Sequence, residues 1–175
     1  MLQNYNKYKV LKVFLDSPTE FFGLREICRL VGISPKSVLN YLDEFQKEEL
    51  IERIEKKGKP FYQARRENEN FILYKKISII FELEASGVVG KLWDFLSPDA
   101  VILYGSHIKG EAIEGSDIDL FVLGKKKNID LSEYEDKLGK EIHLIIEEDV
   151  SNIPKELKNN LINGIVLRGY FKVFK

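Results

Sequence analysis

Nineteen residues constrain this chain more than any others: GSHIKGEAIEGSDIDLFVL, residues 105–123. They follow Val101-Ile102-Leu103-Tyr104, a short apolar run that reads as a buried strand. Glycine at 105 lets the backbone approach a ligand closely, and the adjoining amides and the Ser106 hydroxyl suit phosphate oxygens. Asp117 and Asp119 stand two apart at the start of a second apolar strand, Ile118–Leu123. Side chains alternate along a strand, so both carboxylates point to one face. Two carboxylates that close repel unless a cation lies between them. Hard oxygen ligands of this kind suit Mg²⁺, which commonly also binds substrate phosphates. Taken singly, Gly-Ser is an ordinary turn and Asp-x-Asp an ordinary solvated loop end. In this order and spacing they are the minimum equipment for phosphoryl or nucleotidyl transfer.

Strand, Gly-Ser, about ten residues, Ser-Asp-x-Asp and an apolar strand closely resemble the signature of the DNA polymerase beta-type nucleotidyltransferase superfamily. The minimal nucleotidyltransferase branch is the most similar, and the resemblance covers about residues 77–170. It implies that Gly105 and Ser106 hold the triphosphate of an NTP, with ATP expected. It implies that Asp117 and Asp119 bind two divalent metals, Mg²⁺ or Mn²⁺, for attack of an acceptor hydroxyl on the α-phosphate. Lys109 falls where the family often has a basic residue; it either neutralises phosphate charge or is a solvated surface lysine. Ser116 is expected to cap the turn and orient Asp117. In the minimal branch the acceptor can be a partner protein, as when an antitoxin adenylylates its toxin.

The family normally takes a third carboxylate from a neighbouring strand. Here that strand is Glu141–Ile146, and the matching position holds His143. Glu141 and His143 face the same side. Imidazole is a poor ligand for Mg²⁺ and a better one for softer cations. Three readings stand: Glu141 is the third ligand; His143 is a ligand or general base; or catalysis is lost and nucleotide binding remains. His107, just after Gly-Ser, either leans over a triphosphate or is simply exposed.

The first part of the chain reads differently. Residues 6–16 form a short apolar helix ending at Ser17-Pro18. In residues 24–31, Leu24, Ile27, Leu30 and Val31 lie at helical spacing, with Cys28 as a buried small hydrophobe, and Gly32 ends the helix. Ser34-Pro35 opens a helix over 35–48, with Val38, Leu42 and Phe45 on one face. Residues 50–54 alternate like a strand, Lys56-Lys57-Gly58-Lys59-Pro60 is a basic turn, and 61–64 return. This resembles the winged helix-turn-helix of archaeal and bacterial transcription regulators over about residues 6–66. The resemblance implies DNA contacts from Ser34, Lys36, Ser37, Asn40 and Tyr41 at the start of the second helix, and from Lys56, Lys57 and Lys59 in the wing. The far end of that helix, with Asp43, Glu44, Glu48 and Glu49, repels phosphate, and winged helices also serve as protein docking modules.

The expected fold class is α+β. A winged helix-turn-helix spans 1–66, a linker and helix start 67–76, and a polymerase beta-like nucleotidyltransferase domain, with a small mixed sheet flanked by helices, 77–175. A helix over 77–96 breaks near Gly87, helices are expected over 131–139 and 154–163, and 163–169 is an extended element beside the site. Phe171, Val173 and Phe174 pack on the core or on a second subunit. Hydrophobic residues at 44% and charged residues at 31% exclude a disordered or collagen-like chain. The single cysteine excludes an internal disulfide. Residues 1–70 carry 13 Lys+Arg against 11 Asp+Glu, and residues 71–175 carry 14 against 17, so the halves net +2 and −3. That asymmetry only permits DNA contact by the first part. With no apolar leader or membrane-length run, the cytoplasm is the expected compartment. Expected partners are DNA and a toxin or other protein acceptor, with no membrane; a homodimer is compatible with a winged helix but nothing forces it. The alternative function is a DNA-binding transcription regulator whose degenerate second domain only binds nucleotide or mediates dimerisation; a pure interaction module is the third.

Overall fold

A computed structural model describes residues 5–172. The chain divides into two compact units, residues 1–78 and 79–175. In the first, α1 (Asn6–Asp16) buries Val10, Leu11, Phe14 and Leu15. After the two-residue strand β1 (Phe22–Gly23), α2 (Leu24–Val31) ends at Gly32, whose φ of 68° is the left-handed C-terminal cap that glycine adopts without strain. Ser34 caps α3 (Pro35–Lys47), its side chain accepting the Ser37 N–H, with Pro35 at the first helical position. Val38, Leu42 and Phe45 are buried as their spacing requires.

β2 (Ile51–Lys56) and β3 (Lys59–Ala64) form an antiparallel hairpin. Lys57 and Gly58 at its tip both have positive φ, 52° and 72°, the conformation a two-residue hairpin turn demands. The sheet order is β1-β3-β2, and helices and strands share one core with Phe14, Ile27, Leu42, Phe45 and Tyr62.

One expectation fails in this unit. Leu30 is 57% exposed. At 100° per residue it lies about 110° around α2 from the mean direction of Leu24, Ile27, Cys28 and Val31, which turn toward the core. Residues 67–76, expected as a linker running into a helix, enter the helix early: α4 (Glu69–Ser86) begins where the Asn68 side chain accepts the Phe71 N–H at 3.0 Å. Phe71 is fully buried in the first core and anchors that turn. The expected break at Gly87 is present, with φ 86°, and α5 (Val88–Leu96) follows.

In the second unit, β4 (Ala100–Tyr104) is buried throughout. A single turn, α6 (Ser106–Lys109), leads by a loop to β5 (Ile118–Leu123). α7 (Ser132–Leu138) crosses to β6 (Ile142–Glu147), and α8 (Lys155–Ile162) precedes β7 (Ile165–Gly169). The sheet order is β6-β5-β4-β7; β5 and β6 run parallel and the other pairs antiparallel. Alternation splits the apolar residues between two faces. Val101, Leu103, Leu120 and Val122 join Leu83, Val88 and Leu92 of the preceding helices. Ile102, Tyr104, Phe121 and Leu123 join Ile153 and Leu161. This is a small mixed sheet flanked by helices. Phe171 packs edge-on to Phe121, while Val173 and Phe174 lie outside the described residues. No described helix is long and apolar enough to cross a membrane.

Candidate functional site

The chain leaves β4 through Gly105, whose φ of 78° and ψ of −151° belong to a region essentially reserved for glycine. A Cβ there would run into the Asp119 carboxylate. The absence of a side chain at 105 is thus what lets the Gly-Ser turn lie directly against that carboxylate. Ser106 opens α6, and its carbonyl accepts the N–H groups of Glu111 and Ala112, which folds the following loop back onto the turn.

Sheet register sets the rest. Asp119 lies opposite Tyr104 on β4 and opposite His143 on β6. Neighbours in register project to the same face. Asp119 Oδ1 and His143 Nδ1 are 3.1 Å apart. The carboxylate accepts this bond, so the proton sits on Nδ1. Asp119 is the more sheltered partner, its side chain 25% exposed against 59% for His143.

Asp117 stands exposed one residue ahead of β5, and Glu141 exposed one residue ahead of β6. The Ile118 N–H donates to the Glu141 carbonyl at 2.9 Å, which ties the two strand entrances together. The Ser116 hydroxyl accepts the Ile113 N–H at 2.9 Å and its own N–H donates to the Ile113 carbonyl, closing the turn that delivers Asp117. Lys109 is exposed at the end of α6. His107 is only 7% exposed, so it does not face solvent; it is buried together with Ile108 on the single turn of α6.

Tyr104 was missed from the sequence, where it reads only as the last apolar residue of a strand. It is 5% exposed. Burial first, and the Asp119 charge second, push its phenol up to about 12. Its place beside Gly105 at the end of an antiparallel strand pair was the available signal. Among the described residues, no three His, Cys, Asp or Glu side chains are grouped to hold a metal ion by themselves.

In the first unit the residues expected to contact DNA divide in two. Lys36 and Asn40 on α3 are exposed, as are Lys57 and Lys59 in the hairpin turn. The others have internal work. Ser34 and Ser37 bond each other at the helix start. Tyr41 is half-buried against the core. The Lys56 ammonium sits over the Phe21 ring. The acidic end of α3 is partly neutralised: Lys7 pairs with Glu44 and Glu48 at 2.7 and 3.3 Å, and those bonds raise its pKa.

Residues 84–167, from the end of α4 into β7, match the family model for the nucleotidyltransferase domain. The match supports nucleotidyl transfer as the general function of this part of the chain. No curated protein matches the chain.

Proposed function

We propose that the second unit moves a nucleoside monophosphate, AMP in the first instance, from an NTP to a hydroxyl acceptor, and that the first unit is a DNA-binding winged helix. The observation that carries the first part is Gly105 lying against the carboxylate of Asp119. It joins a turn able to bind phosphate to the acidic strand entrance.

The backbone amides of the turn and the Ser106 hydroxyl bind the β- and γ-phosphates, and Lys109 balances their charge. Asp117 and Asp119 fit a divalent cation, because a protein commonly gives Mg²⁺ one or two carboxylates and leaves the other positions to substrate phosphates and water. When bound, the cation supplies charge neutralisation for the triphosphate and acidifies the acceptor hydroxyl. In the transfer, the acceptor oxygen bonds to the α-phosphorus. The bond from that phosphorus to the bridging oxygen breaks, and pyrophosphate leaves with the electron pair. Glu141 and His143 are the groups at hand for the acceptor's proton, or for completing the cation's shell. A hydroxyl of a partner protein, as in a toxin–antitoxin pair, is the acceptor proposed, and the cytoplasm the compartment.

For the first unit, the order α1-β1-α2-α3-β2-β3 with sheet order β1-β3-β2 supports the winged-helix reading. Lys36, Asn40, Lys57 and Lys59 are the contacts proposed from it. A second reading has one observation in its favour: His143 occupies the neighbouring position to Asp119 and bonds it. On that reading the protein is a DNA-binding regulator whose second unit only binds nucleotide.

Labelled ATP separates these. Transfer predicts that label at the α-phosphate reaches the protein or a co-purifying partner, while label at the γ-phosphate does not. Binding without transfer of either label selects the regulator, and transfer of the γ-label contradicts nucleotidyl chemistry.

A further inference from the structure

We propose that the chain pairs with a second copy of itself along β6, antiparallel and centred on Ile145, so that each copy sets a glutamate beside the other's His143. Nothing in this depends on the chemistry assigned to Asp117 and Asp119. β6 is an edge strand, bonded to β5 and to no other strand. Two bonds fix which of its backbone groups face β5: the carbonyls of Glu141 and Glu147 accept the N–H groups of Ile118 and Gly124, both at 2.9 Å. Along a strand the bonding direction alternates from one residue to the next. Ile142, Leu144 and Ile146 therefore turn their N–H and C=O groups outward. The Ile142 N–H is already taken, donating to the Glu135 carboxylate at 2.8 Å. Among the described residues, no hydrogen bond reaches the N–H and C=O groups of Leu144 and Ile146.

Edge strands are commonly blunted by proline, lysine or a bulge. β6, IHLIIE, has neither proline nor lysine, and its register with β5 is unbroken. Its side chains are half-buried or exposed, whereas those of β5 are buried except for Asp119. An apolar edge of this kind is a template for another strand. The open groups select the register. Pairing about Ile145 sets Leu144 opposite Ile146 of the partner subunit, and the reverse, so four hydrogen bonds satisfy every open group on both edges. Centring on Leu144 would call on the Ile142 N–H, which Glu135 holds. Centring on Ile146 would set Leu144 against Glu148, beyond the end of the strand. About Ile145, the side chains also agree. Ile145 meets its own copy, and His143 lies opposite Glu147 of the partner subunit, on the sheet face that carries Asp119. Imidazole and carboxylate are compatible cross-strand neighbours, as two like charges are not. The partner's Glu147 thereby adds a carboxylate beside the row of Tyr104, Asp119 and His143.

Sedimentation equilibrium of the full chain is expected to show monomer and dimer in exchange. Residues 143–147 make a contact small beside the roughly 20–30 residues a side of a standard interface, so association depends on concentration. Ile146→Pro removes an N–H that faces away from β5, a change that edge strands tolerate. It deletes two of the four bonds between copies and should weaken the dimer about 30-fold while the chain still melts cooperatively. Disulfide crosslinking tests the register itself. With Cys28→Ser in place to remove the native thiol, Ile145→Cys should crosslink to its own copy on mild oxidation, because directly opposed residues lie within disulfide reach. Ile146→Cys, diagonal to its own copy, should not. A monomer at every concentration overturns the proposal. So does a dimer that folded Ile146→Pro leaves intact, or one that crosslinks through Ile146→Cys and not through Ile145→Cys. If Ile146→Pro fails to fold, the crosslinking pair decides.

Discussion

The two units commit their candidate residues in opposite ways. In the second, residues from three strands gather at one end of a sheet: Tyr104, Asp119 and His143 in one register row, with Gly105 against the middle one. In the first, the candidates are spread over a helix start and a hairpin turn, and half of them are used inside the unit. The contrast follows from geometry. A strand has a period of two, so a spacing of two in sequence decides the side, and register decides the neighbour. Around a helix, exposure varies gradually with angle, and a polar residue near the rim is as ready to cap or pack as to meet a partner.

The largest effect should come from the place where the second unit has least room. Gly105→Ala puts a Cβ into the Asp119 carboxylate on a backbone that other residues rarely adopt. Transfer should fall on the order of 10³-fold, and stability by about 1–3 kcal/mol, read by labelling and by thermal melting. Gly58→Ala, at a positive φ of 72° but with open space around it, should cost only about 1 kcal/mol. Equal effects at the two glycines would break the comparison.

Next is the exposed turn of the first unit. Lys57→Ala with Lys59→Ala should flatten the salt dependence of DNA binding by about 1.8 in log–log slope, one phosphate contact each. An unchanged slope would show that the hairpin turn touches no phosphate. Within α3, Tyr41→Ala should destabilise the fold by about 1–2 kcal/mol through lost packing, while Lys36→Ala stays within about 0.5 kcal/mol and affects DNA binding alone. Chemical denaturation of both variants sharpens the distinction between a packed and a presented side chain.

The smallest effect is spectroscopic. The phenol of Tyr104, pushed up to about 12, remains protonated well after exposed tyrosines ionise. The unfolded chain ionises this group near pH 10, so the native state holds the proton longer. Its contribution to stability is complete below that pH and is lost as pH rises toward 12. In an alkaline titration at 295 nm, Tyr104→Phe should remove a late step and leave the early ones.

Much of this was legible from local chemistry. Gly32, Ser34-Pro35, Gly58 and Gly87 mark element ends through their own backbone preferences, and each stands where such an end falls. The Gly105 turn and the Asp117-x-Asp119 strand start were readable for the same reason. What escaped notice depends on partners distant in sequence. Glu67-Asn68-Glu69-Asn70 reads as a polar loop until Phe71 is seen buried in the first core. Lys56 reads as a free cation until Phe21 comes beneath it, and Tyr104 reads as plain core until Asp119 is set opposite. Leu30 was misplaced because eight residues of α2 hold too few turns to define the buried face from spacing alone.

The most direct measurement of the central claim is transfer of α-labelled ATP by the variant carrying Asp117→Ala and Asp119→Ala together. Neither carboxylate belongs to the buried core, so the variant should fold and melt like the unaltered chain. Labelling of the protein or its partner is expected to disappear. Labelling that persists at the unaltered rate in the folded double variant would contradict it.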